Sequence, residues 1–72
     1  MYTTSRALII DDNFNNRDIF RIALESIGFH VTEAENGADG LKILHSHIFH
    51  LLVLDLQMPL IDGLEVLKEL RR

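Results

Sequence analysis

The chain has 72 residues, 47% of them hydrophobic, no cysteine and a formal net charge of −4. This is one domain or part of one, too apolar for disorder, with no disulfide, thiolate metal site or cysteine nucleophile, and of the wrong sign to seek nucleic-acid phosphates. No apolar run nears the ~20 residues that span a bilayer, and the short run after Arg6 ends in two aspartates, unlike a secretory signal. No nucleic-acid or membrane partner is expected, and the absence of cysteine suits a cytoplasmic location.

In chain order, Ala7-Leu8-Ile9-Ile10 is apolar without alternation, which predicts a strand over residues 6–10 buried on both faces. Asp11 to Asn16 is a loop rich in Asp and Asn. Asn15 is placed to cap a helix, with Asp18 in the first turn, where the helix dipole favours negative charge. Ile19, Phe20, Ala23, Leu24 and Ile27 follow at helical spacing as its apolar face, and Gly28 stands where a left-handed C-terminal residue is expected. Phe29 to Ala34, with Val31 and Thr32, predicts a second strand nearer a sheet edge. Asn36-Gly37 starts a second helix, with Ala38, Leu41, Leu44, His45 and Ile48 on one face.

A third strand covers about residues 50–55, where Leu51-Leu52-Val53-Leu54 runs into Asp55. Asp62 and Glu65 give a capping-box pattern for a third helix with a stripe of Leu64, Leu67 and Leu70.

The order β-α-β-α-β-α argues for a parallel sheet with right-handed crossovers. Strand order 2-1-3 puts the most apolar strand in the centre and the two helices on opposite faces, a three-layer α/β/α arrangement. It also makes the first and third strands neighbours at the switch point, where open α/β sheets bind ligands. Asp11, Asp12 and Asp55 then meet at the carboxyl edge of the sheet.

Three neighbouring carboxylates stay ionised together only if a cation or water screens them. Hard oxygen ligands suit Mg²⁺, and a carboxylate can also act as a nucleophile to give an aspartyl phosphate. An Asp-Asp pair after a strand is, taken alone, most often a solvated loop or a cap. A single strand-ending Asp is equally ordinary. The two together, each closing an apolar strand, favour a site. His45, His47 and His50 form a looser cluster whose spacing does not put 45 and 47 on one helix face, and ordinary surface histidines are the better reading.

Ile9-Ile10-Asp11-Asp12-Asn13, with Leu52-Val53-Leu54-Asp55-Leu56-Gln57-Met58-Pro59 and Asp62-Gly63-Leu64-Glu65, strongly resembles the receiver domain of two-component response regulators, a flavodoxin-like fold. The resemblance runs from Ala7 to Arg72. It implies that Asp55 accepts a phosphoryl group from a phosphohistidine on a histidine kinase or histidine phosphotransfer protein. It also implies that Mg²⁺ is held by Asp11, Asp12 and Asp55, with the main-chain carbonyl of Gln57 as a further ligand. Such a domain is a phospho-acceptor rather than an enzyme.

A complete receiver resembles five βα units, and residues 1–72 match the N-terminal three. The units that supply a phosphate-binding Ser or Thr and a Lys have no counterpart in this sequence, so the chain alone is expected to be impaired as a switch. An unpaired edge on the third strand is a template for another chain, which predicts a homodimer. Two other functions compete: a non-catalytic self-associating interaction module, and an Asp-nucleophile phosphohydrolase. Gln57 stands where phosphohydrolases of that kind carry a second acid.

Overall fold

In the computed structural model, β1 (Arg6–Ile10) is the middle of three parallel strands, flanked by β2 (His30–Ala34) and β3 (Leu51–Leu54) in the order β2-β1-β3. Helix α1 (Phe14–Ser26) joins β1 to β2, and α2 (Gly37–Ser46) joins β2 to β3. The structure describes residues 5–55 together with Val66, Lys68 and Glu69. The predicted parallel sheet, its order and its central strand are all present.

Side-chain parity along β1 assigns the two faces. Leu8 and Ile10 are fully buried with Ala34 and Val66, and Leu41, Ile43, Leu44, Phe49, Leu52 and Leu54 pack against them. Helix α2 therefore covers this face. Ala7 and Ile9, equally buried, point to the other face. There Glu33, the cross-strand partner of Ile9, is met by Arg17 and Arg21 of α1. The helices lie on opposite faces, as the 2-1-3 order requires. Burying each of Leu8, Ile9 and Ile10 contributes roughly 2 kcal/mol, which makes β1 the anchor of the sheet.

Helix α1 starts earlier than its sequence suggests. The cap is Asn13, not Asn15: its extended backbone stops the loop, and its side-chain oxygen accepts the Asn16 N–H at 3.0 Å. Asp18 consequently falls beyond the first turn and pairs with Arg21 instead. That hydrogen bond is the main cause holding the Arg21 guanidinium pKa above its usual value.

The predicted apolar face of α1 is mostly open. Leu24 is half-buried, but Ile19 is 65% and Ile27 71% exposed. A polar seam through Arg17 and Arg21 to Glu33 holds this helix. The helix ends as expected at Gly28, with φ +99°. Gly28 N–H donates to Glu25 O and Phe29 N–H to Leu24 O, closing a Schellman motif. Phe29 is thereby spent on the cap, and β2 begins at His30.

Helix α2 sits close to β1 because it carries Gly40. A Cβ there would lie 2.8 Å from Ile10 Cγ1 and nearer still to Cδ1. This approach turns Gly37, Gly40, Leu41 and Leu44 inward, at helical spacing. Ala38, His45 and Ile48, expected on the buried face, are exposed. Asn36 caps the helix by accepting the Asp39 N–H at 2.8 Å.

Of the third predicted helix, Val66, Lys68 and Glu69 are helical, and Val66 is fully buried in the core although the sequence pattern did not select it. Asp62, Gly63, Leu64, Glu65, Leu67 and Leu70 lie outside the described residues.

Candidate functional site

Parallel pairing fixes where the acidic residues fall. Ile10 pairs with Ala34 on one side and Leu54 on the other. The ladder runs one step past both strands: Asp11 N–H donates to Ala34 O at 3.1 Å, and Asp55 N–H to Ile10 O at 3.0 Å. Asp11 and Asp55 are therefore successors of paired residues and emerge side by side at the carboxyl edge. Asp12 follows on the loop into α1.

Asp11, Asp12 and Asp55 each offer a carboxylate oxygen within 4.8 Å of the others. Asp11 is buried at 3% exposure, Asp55 is half-buried and Asp12 exposed, so the cluster grades from the sheet interior to solvent. Oxygens bound to one octahedral Mg²⁺ stand about 3 Å apart when adjacent and about 4 Å apart when opposite. Three hard carboxylate donors this close fit a divalent cation with small side-chain adjustment, and without one they repel. Gln57, the remaining expected ligand, lies outside the described residues, as do Met58 and Pro59.

Two residues missed from sequence surround Asp11. Asn13 N–H donates to Asp11 Oδ1 at 2.9 Å, an Asx turn that leaves the second carboxylate oxygen for another partner. The spacing Asp11-x-Asn13 carries that signal. Arg17, with a side chain 12% exposed, donates from Nη1 to the Asp11 main-chain carbonyl at 2.6 Å and from Nε to Glu33 Oε1 at 3.2 Å. Its place one turn after Asn13 is the only sequence trace of this role.

The histidines do not converge. His50 Nδ1 accepts the Arg6 N–H at 2.9 Å, His47 lies beside Ser46 Oγ at 3.1 Å, and His45 Nε2 is 3.7 Å from Glu69 Oε2. They read as surface side chains with separate neighbours.

Comparisons with known proteins identify the family. The family model for the response regulator receiver domain matches residues 7–72. BvgA of Bordetella pertussis is 46% identical over 68 residues, covering 93% of this chain and 32% of that protein. The transcriptional regulator ycf27 of Cyanidium caldarium is 42% identical over 65 residues, covering 90% of this chain and 26% of its own. A solved structure of histidine kinase ThkA in complex with response regulator protein TrrA contains a chain matching at TM-score 0.83 and 40% identity, over 93% of this chain and 58% of that one. The chain thus belongs to the response regulator receiver family, the phosphorelay modules of two-component signalling. It spans about a third or less of those two curated relatives.

Proposed function

We propose that Asp55 is the phospho-acceptor of this receiver and that Asp11, Asp12, Asp55 and the Gln57 carbonyl hold Mg²⁺ beside it. The observation that carries this is the convergence of three carboxylates, from two adjacent strand ends, within 4.8 Å. A bound Mg²⁺ supplies charge neutralisation for the phosphoryl oxygens and for the acidic cluster itself. The Asp55 carboxylate oxygen attacks the phosphorus of a phosphohistidine in line. The P–N bond breaks, the imidazole nitrogen keeps the electron pair and takes up a proton, and an acyl phosphate remains on Asp55. The protein is then a phosphorylated intermediate in signalling rather than a turnover enzyme.

The donor is a histidine kinase or a histidine phosphotransfer protein. The kinase is supported by the structural neighbour, solved as a kinase–regulator complex. Residues 1–72 form the N-terminal part of a receiver domain, in keeping with the family match over residues 7–72. A cytoplasmic location suits such a donor, and no described helix is long and apolar enough to cross a membrane. Transfer of radiolabelled phosphate from a phosphorylated histidine phosphotransfer protein tests the donor: label on the wild-type chain and none on Asp55→Asn is expected.

Self-association is a second reading with its own observation. Among the described residues β3 is bonded along one edge only, to β1, and Leu51 on it is 36% exposed. A homodimer through that edge would satisfy the remaining backbone donors and acceptors.

A further inference from the structure

We infer that Arg17 is a positioning residue for the metal-binding loop, acting through the Asp11 main-chain carbonyl. This rests on the proposal that Asp11 and Asp12 hold Mg²⁺. The peptide unit is planar, so the Asp11 carbonyl oxygen and the Asp12 N and Cα move as one piece. The two candidate ligands hang from the two ends of that plane. Holding the carbonyl limits rotation of that plane and so narrows the range over which both carboxylates can point.

Arg17 is built to do this. Its guanidinium donates to the Asp11 carbonyl at 2.6 Å and to Glu33 at 3.2 Å, and its side chain is 12% exposed. The Asp11 N–H is tied to Ala34 O, the residue after Glu33 on β2. Both main-chain polar groups of Asp11 are thus referred to the same stretch of β2, one directly and one through Arg17. The Asx turn from Asn13 N–H to Asp11 Oδ1 then sets the side chain itself.

Lysine cannot reproduce this bridge, because a planar guanidinium presents two donors in fixed directions to two acceptors. Arg21 also reaches Glu33, at 3.5 Å, but its hydrogen bonds run to Asp18 and Glu25 and not to Asp11. It serves as an internal control for merely fastening α1 to the sheet.

The test is a titration of the full chain with MgCl2, followed by the amide resonances of the acidic loop, with a thermal melt in chelator for each variant. Arg17→Ala and Arg17→Lys are expected to weaken Mg²⁺ binding roughly ten-fold or more, the size of effect seen when groups supporting a metal ligand are removed. Arg21→Ala is expected to lower the melting temperature while leaving Mg²⁺ affinity unchanged. Glu33→Gln, which keeps the shape but removes the ion pair, is expected to give an intermediate loss and serves if an Arg17 variant does not fold. Equal Mg²⁺ affinity in the wild type and in the folded Arg17 and Glu33 variants overturns this inference and leaves the metal site standing. No Mg²⁺ response in the folded wild type overturns the metal site, and this inference with it.

Discussion

The Asp55 amide donates to the Ile10 carbonyl at 3.0 Å, one ladder step beyond the β1–β3 pairing. This bond places the carboxylate that ends β3 next to the one that follows β1. A register shifted by one residue would send Asp55 to the opposite side of the sheet, since strand side chains alternate. The acidic site is therefore a consequence of the register in which β3 pairs with β1.

Three carboxylates within 4.8 Å repel in the absence of a cation. In chelator, Asp12→Asn is therefore expected to raise the melting temperature, by removing a charge from an exposed position. In Mg²⁺ the wild type should gain stability as RT ln(1 + [Mg²⁺]/Kd), and the variant should gain much less. Paired thermal melts check both signs. A variant that melts lower in chelator and responds fully to Mg²⁺ would remove the electrostatic argument.

Gly40 has no room for a side chain against Ile10. Gly40→Ala should destabilise by about 1–3 kcal/mol despite alanine's higher helix propensity, because Ile10 is fully buried and must shift. Chemical denaturation measures this, and a neutral or stabilising result would mean that α2 can move off the sheet without cost.

Asn36 caps α2 away from the acidic cluster, through the Asp39 N–H. Asn36→Ala should cost about 1 kcal/mol of stability and leave Mg²⁺ binding as it was. A denaturation midpoint equal to that of the wild type would show that solvent replaces the cap.

Much of this was legible from the residues. Consecutive apolar stretches marked β1 and β3, the β-branched stretch through Val31 and Thr32 marked β2, and their alternation with helical patterns pointed to a parallel sheet that brings Asp11, Asp12 and Asp55 together. What was not legible depends on helix rotation about the sheet. Leu41 and Leu44 of the expected face of α2 do turn inward, but the close approach at Gly40 brings Gly37 and Gly40 in beside them and leaves Ala38, His45 and Ile48 exposed. Likewise, Asn13 and Asn15 are equally good caps by type, and the Asx turn at Asp11 selects the earlier one. The role of Arg17 has no local signature because its partners, the Asp11 carbonyl just past β1 and Glu33 on β2, are brought together only by the fold.

Light scattering across a concentration series addresses the β3 edge. A homodimer in the micromolar range is expected, with β3 amides slower to exchange than in the dilute chain. A chain that stays monomeric with β3 poorly protected would exclude self-association through that edge.

Phosphorylation of Asp55 is tested most directly by intact-mass analysis of the chain after incubation with a small phosphodonor and Mg²⁺. A single phosphoryl adduct is expected, labile to hydroxylamine, dependent on Mg²⁺ and absent from Asp55→Asn. An adduct that persists in Asp55→Asn would contradict the assignment of Asp55 as the acceptor, and a folded wild-type chain that gains none would mean that the activity does not reside in this chain alone.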